Sequence, residues 1–310
     1  MNYWELKAAD QENDQQRQNG NTSIAETIET LTPKPGKTLA NLPARVRNKL
    51  RYWLNLASFW IKRKIAFPQK LDYPRHDLYM QVSTLPEYHR LRPYLKEPWT
   101  VEWIETSIQP GDVFYDIGAN IGGYSLIAAQ ASAGQANVFA FEPGYATFHT
   151  LCDNIVLNHC EKNITPFPIA LSNQTELTHF NYSSLESGAA LHNLGKTEEL
   201  ASEGDAPLYQ QVVVSYSLDD FIAQFSLPVP NHIKLDVDGT ELAVLHGAKQ
   251  TLANPRVRSL MVELNEDEDR SDEEIVRLLE LHGFCLTRRE VRYDDTGKRL
   301  PWSFCIFRRD

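Results

Sequence analysis

The stretch from Pro110 to Ala129, PGDVFYDIGANIGGYSLIAA, constrains the fold more than any other part of the chain. Pro110 and Gly111 turn the chain. Val113-Phe114-Tyr115 read as the end of a buried strand, and Asp116 sits where that strand stops. Gly118, Ala119, Asn120, Gly122 and Gly123 then form a small-residue loop, and Tyr124 to Ala129 open a helix. Strand, loop and helix in that order make a nucleotide site, because a helix start presents free N–H groups and small residues let the backbone approach a ligand closely. A loop that cradles a pyrophosphate needs a glycine where Asn120 stands, and a carboxylate at its mouth would repel the phosphates. Asp116 suits a cationic ligand instead. S-adenosylmethionine carries an ammonium and a sulfonium, so the loop points to a methyl-donor site.

At 310 residues the chain can bury a sizeable core. No apolar run approaches the ~20 residues that span a bilayer, and the first residues, MNYWELKAADQENDQQ, lack the basic start and apolar core of a secretory signal. A net charge of −10 argues against a nucleic-acid partner. Cys152, Cys160, Cys285 and Cys305 form no C-x-x-C pair and read as reduced core residues, so the expected location is cytoplasmic.

Residues 1–40 are polar and are expected to form a disordered tail, closed by Pro33-Lys34-Pro35-Gly36. Residues 41–106 read as a helical extension or cap, and 107–310 as the nucleotide-binding domain. Within the extension, Pro43 to Phe67 carries seven basic residues, Arg45, Arg47, Lys49, Arg51, Lys62, Arg63 and Lys64, around Trp53, Leu54, Leu56, Phe59, Trp60 and Ile61, with no acid. It reads either as an amphipathic helix lying peripherally on an anionic membrane or as a helix packed on the core with solvated basic ends. Asp72 to Thr106 reads as short helices and loops rich in aromatic residues.

From Pro110 onward strands and helices alternate, which implies an α/β fold with a parallel sheet and helices on both faces. The expected strands include Asn137–Glu142, a short one at Ile164–Ile169 broken by prolines, Thr175–Tyr182, Gln210–Tyr216, His232–Asp236 and Arg258–Glu263; one helix is expected over Thr240–Leu252. A closing hairpin, Phe284–Thr287 with Ser303–Phe307, makes one late strand antiparallel. Ligands bind beyond the carboxyl ends of parallel strands, and Asp116, Glu142, Asp236 and Glu263 stand at four such ends. Glu142, before Pro143-Gly144, reads as an acceptor for a ribose diol or as an acid that favours a helix start.

FYDIGANIGGYS, AFEPGYATFHTLCDNIVLN, IALSN and KLDVDGTELAVLHGA together resemble the FkbM family of S-adenosylmethionine-dependent methyltransferases, over roughly Tyr94 to Phe307. The resemblance implies a Rossmann-like class I methyltransferase fold, a mostly parallel seven-stranded sheet with a C-terminal antiparallel strand, and O-methylation of a sugar, glycan or secondary metabolite. It places Asp116, Gly118, Ala119, Asn120 and Gly122 in the donor loop and Glu142 with Pro143 at the ribose. Ala170 and Leu171 fall at the adenine edge, and Asp236, Asp238, Gly239 and Glu241 in a later acidic motif. Asp238 stands where the family more often has Glu.

A protonated hydroxyl is a poor nucleophile, so a base or a metal is expected. Asp236 is the leading base. Lys234, on the same strand, would tune it, anchor an anionic acceptor or pair with an acid, and His192 is the second candidate base if the 183–206 segment covers the site. Asp236, Glu263 and Asn265 also form an oxygen set suited to Mg2+. Two other readings stand beside the O-methyltransferase: an NAD-dependent oxidoreductase, which Asn120 and Asp116 disfavour, and a non-catalytic module that binds the donor or a membrane. Neither the acceptor nor the oligomeric state is legible.

Overall fold

The computed structural model describes residues 44–65, 67–195, 207–265, 271–293, 296 and 298–309. The tail expected over 1–40 lies outside the described residues, as do 196–206 of the expected covering segment. The chain divides at Phe67/Pro68 into two compact units.

The described part of the first unit is helix α1 (Ala44–Ile65), with no acid in its first turn. Val46, Leu50, Trp53, Leu54 and Ala57 recur at the spacing of one helical face. The first four are 37–58% exposed. Among the described residues, no helix is long and apolar enough to cross a membrane.

The second unit opens with a short antiparallel pair, β1 (Gln69–Lys70) and β2 (Tyr79–Met80), and three short helices, α2 (Leu85–His89), α3 (Pro93–Lys96) and α4 (Pro98–Ser107). Each helix has proline in its first turn, where a missing N–H costs nothing. Thr84 and Glu87 cap α2 reciprocally. Residues 72–106, expected as a cap, share the core of this unit: Tyr73, Leu78, Met80 and Trp103 are buried in one cluster with Phe114 and Leu126.

The alternation follows: β3 (Val113–Ile117), α5 (Gly123–Ala131), β4 (Asn137–Phe141), α6 (Tyr145–Leu157), β5 (Ile164–Phe167), β6 (Ala170–Ser172), β7 (Glu176–Tyr182), β8 (Asn193–Leu194), β9 (Tyr209–Ser217), α7 (Leu218–Phe225), β10 (His232–Leu235), α8 (Glu241–His246), α9 (Lys249–Ala253), β11 (Ser259–Asn265), α10 (Ser271–Leu281), β12 (Phe284–Tyr293) and β13 (Arg299–Arg309). Seven strands form one sheet in the order β12-β13-β11-β10-β3-β4-β5. β3, β4, β5, β10 and β11 pair in parallel, and β13 inserts antiparallel between β11 and β12. This is the expected Rossmann-like methyltransferase architecture. One apolar cluster covers the sheet face bearing Phe114, Val138 and Met261, and a second covers the face bearing Tyr115, Ile233 and Leu260.

Two features depart from the sequence reading. The strand expected over Ile164–Ile169 ends at Phe167; the chain then leaves the sheet at Pro168 and builds a second, four-stranded sheet in the order β6-β9-β7-β8. The helix expected over Thr240–Leu252 is two helices separated at Gly247-Ala248. There the backbone passes so close to β6 that a Cβ on Gly247 would lie 2.1 Å from the Ser172 carbonyl oxygen.

Candidate active site

The site grows from the loop after β3. A Cβ on Gly118 would lie 1.8 Å from the Asp236 carbonyl oxygen, so only glycine lets this loop meet the end of β10. Asn120 adopts a left-handed conformation (φ 49°), which Asn tolerates better than most residues. Its amide Nδ2 donates to the Ala189 carbonyl (3.0 Å), and its backbone N–H donates to Glu142 Oε2 (3.0 Å). The departure from a glycine pattern thus ties the loop to the 183–195 segment. Gly122 (φ 90°) starts α5 without a side-chain cap, leaving first-turn N–H groups for a ligand.

Glu142 is buried, and its other oxygen accepts from Gly144 N at 2.8 Å. Burial pushes its carboxyl up to about 7, against the opposing pull of the Gly144 and Asn120 N–H groups. Glu241 is likewise raised to about 7 by burial while accepting from Val237 N and Gly239 N, so it braces the turn after β10.

Register places Asp116 beside Lys234 on one sheet face. The Lys234 ammonium is fully buried; it donates to Asp236 Oδ2 at 3.0 Å and lies 3.7 Å from Asp116 Oδ1. Burial pulls the lysine's proton affinity down, but the two carboxylates outweigh it and hold it raised. It is therefore engaged on both sides, and the anion-anchoring role considered for it is not open. Asp116 is completely buried and takes a hydrogen bond from Ser125 Oγ (2.6 Å), and burial pushes its carboxyl above the ordinary value. It braces α5 and Lys234 from beneath the loop.

Asp236 is the exposed member of the group: a quarter of its side chain reaches solvent. Burial raises its carboxyl, but Lys234 and a hydrogen bond with Glu263 bring it below its ordinary value. The Glu263 hydrogen bond and the Lys234 ammonium at Oδ2 both act on Asp236. Asp236, Glu263 and Asn265, read as an oxygen set suited to Mg2+, stand at the carboxyl ends of β10 and β11; among the described residues, no group of three or more His, Cys, Asp or Glu is arranged to hold a metal ion.

Three residues that the sequence did not single out converge here. Tyr124, in the first turn of α5, lies with its ring 5.1 Å from Lys234 Nζ and donates its hydroxyl to Glu97 Oε2 at 2.6 Å. Burial and the neighbouring Asp236 raise the Glu97 carboxyl. Arg90 donates from Nε to the Gly188 carbonyl (3.2 Å) and lies near enough to Asp236 and Glu142 to favour their charged forms. Glu97 and Arg90 come from the junctions around α3, and no strand-end rule points to them.

Beside the loops lies an open-sided cleft lined by Gly118, Pro143, Ala170 and Leu171, all assigned to the donor from sequence, together with Phe141, Ile169, Phe180 and His192. His192 is not placed as a base. Ser183 N–H donates to its Nδ1 (3.3 Å), using the lone pair that a neutral imidazole would offer a proton. Burial depresses its ionisation, with Asp238 opposing and Arg90 adding. Asp238 (φ 55°) accepts from Leu191 N at 2.8 Å and so joins the turn after β10 to the segment bearing His192.

Residues 116–286 match the methyltransferase FkbM domain. The chain is 26% identical over 224 residues to the hexuronic acid methyltransferase AglP of Haloferax volcanii, covering 72% of this chain and 84% of that one. It is 30% identical over 203 residues to the 31-O-demethyl-FK506 methyltransferase FkbM of Streptomyces tacrolimicus, covering 59% and 76%. Among solved structures, the methyltransferase FkbM of Methylobacillus flagellatus superposes with a TM-score of 0.45 at 15% identity, over 65% of this chain and 44% of that one.

Proposed function

This chain belongs to the FkbM methyltransferase family, and from that premise we propose that it moves a methyl group from S-adenosylmethionine to a hydroxyl of a sugar, glycan or secondary metabolite, with Asp236 as the base. The observation that carries the reading is the meeting, at one sheet edge, of an apolar cleft with a lysine-held carboxylate that still reaches solvent. The relatives' names agree in chemistry: one acts on a hexuronic acid, the other on a demethylated oxygen.

The residues present fit the donor. Phe141, Pro143, Ala170, Leu171 and Phe180 offer an apolar slot of the kind an adenine fills. Glu142 would accept from the ribose hydroxyls, and the free N–H groups at the start of α5 would take the methionine carboxylate. When bound, the donor supplies an electrophilic methyl on a sulfonium. Everything else falls to the chain. Asp236, kept ionised by Lys234, receives the acceptor's hydroxyl proton as the oxygen attacks, and Lys234 with Asp116 beneath it fixes the carboxylate's direction. Tyr124 and Glu97 would wall the acceptor side. Asp236 holds its negative charge at this edge with the acidic side chains of Glu97 and Glu263 beside it, so the reacting part of the acceptor is expected to be neutral.

Asp236→Asn should leave S-adenosylhomocysteine binding intact by calorimetry and lower labelled methyl transfer to a panel of sugars by about 10²–10⁴-fold. A variant with wild-type turnover removes Asp236 as the base. Because Asp236 titrates below the usual carboxylate range, it should contribute no acid limb to kcat between pH 5 and 8.

A second proposal concerns α1. Its basic residues and its exposed Trp53, Leu50 and Leu54 support peripheral attachment to an anionic membrane surface.

A further inference from the structure

Among the described residues, nothing receives the buried N–H of His192. The ring is 7% exposed and forms part of the cleft lining. Ser183 N–H points at Nδ1, and the Ser183 hydroxyl proton is directed to the Ala190 carbonyl at 2.9 Å. A backbone N–H can only donate, so Nδ1 must be the acceptor and the proton of the neutral ring must sit on Nε2. Nε2 has no hydrogen-bond partner among the described residues. An isolated buried donor destabilises the fold, and such a group in a native fold points to a partner that arrives from outside.

The surroundings say what that partner is. Phe180 and Tyr182 pack around the imidazole with ring centroids 5.5 and 5.1 Å away. Apart from Thr240, the rest of the cleft lining carries no polar side chain, and Ile117, Phe141, Ile169, Leu171 and Leu194 make it predominantly apolar. A neutral N–H donor in an apolar slot suits an uncharged ring nitrogen, not a phosphate or carboxylate. The backbone is also held in an unfavourable state to place it. Leu191, immediately before, has φ 62°, a left-handed conformation that is costly for a bulky residue, and Asp238 Oδ2 secures its N–H at 2.8 Å.

We propose that His192 reads the adenine of the methyl donor, its Nε2–H donating to a ring nitrogen of the base. The assignment rests on the donor reading above. It turns a residue considered as a base into a specificity residue for the donor.

The test is calorimetry with S-adenosylhomocysteine and its 1-, 3- and 7-deaza analogues on the full chain. Wild type should lose about tenfold in affinity for one deaza analogue. His192→Phe, which keeps a planar ring in the slot, should lose about tenfold for S-adenosylhomocysteine and nothing further for that same analogue. His192→Gln, which can carry an N–H to the Nε2 position, should recover most of the loss. If His192→Phe binds like wild type, or weakens equally toward all three analogues, the hydrogen bond is overturned while the donor assignment stands. Should His192→Phe fail to fold, the wild-type deaza series and His192→Gln decide: equal wild-type affinity for all four ligands defeats the proposal. No binding of S-adenosylhomocysteine by wild type defeats the donor reading and this inference with it.

Discussion

Glu142 shows how a single carboxylate can serve both the fold and the ligand. Its two oxygens join Asn120 N and Gly144 N, so the loops after β3 and β4 meet on one side chain. Burial places its folded-state ionisation at about 7, above the 4.5 of an open chain. The sign follows: a raised acid favours the folded state fully below about 4.5, and that contribution is lost as pH rises through about 7. Wild type should therefore lose about 2–3 kcal/mol more stability than Glu142→Gln between pH 5 and pH 8 in urea unfolding, since about two pKa units of the shift fall in that window. The variant is also expected to be less stable at pH 5, because an amide cannot accept from both N–H groups. Parallel pH profiles would show that Glu142 ionises normally. A ribose diol needs the charged acceptor, so donor affinity should climb over the same range.

At the scale of elements, the strand–loop–helix of the donor site was readable because it is local. Residues 113–131 carry their own turn, strand and helix signals, and the structure keeps each within a residue or two. The second sheet was not. β7 and β9 were both recognisable as strands, but their pairing, from Glu176 with Ser215 to Tyr182 with Tyr209, joins distant residues and leaves no local pattern. Glu97 and Arg90 escaped for the same reason: short helices built on prolines bring them to the sheet edge, and nothing in their neighbourhood signals it. Helix α1 is the opposite case, since its chemistry is fully written in its sequence. Reversing Arg45, Arg47, Lys49 and Arg51 to Glu should reduce partitioning of the full chain onto phosphatidylserine-containing vesicles by at least about 100-fold, given about 1 kcal/mol per basic residue at such a surface. Raising salt should weaken the wild type in the same direction. Unchanged pelleting of the reversed variant would leave packing on the protein as the role of this helix.

The site also makes a statement about the whole second unit. Its cleft is closed by residues from both sheets: Phe141 ends β4 and Pro143 follows it, Ala170 and Leu171 belong to β6, Phe180 to β7, and Val237 follows β10. A ligand that touches all of these should stabilise the unit as one body. At one hundred times its Kd, S-adenosylhomocysteine adds about 2.7 kcal/mol, and for a domain of this size that corresponds to a rise of about 5–10 °C in Tm. NAD should produce no rise, because Asn120 stands where a pyrophosphate loop needs a glycine. Asp236→Asn should keep the full shift, since Asp236 is not among the residues that line the cleft. Gly118→Ala should abolish it, because its Cβ cannot coexist with the Asp236 carbonyl 1.8 Å away; the loop must move off β10, and the cleft loses one wall. The charge-reversed α1 variant should shift as wild type does. A rise with NAD equal to that with S-adenosylhomocysteine would return the fold to the oxidoreductase reading, and an unaltered shift in Gly118→Ala would mean that the donor binds elsewhere.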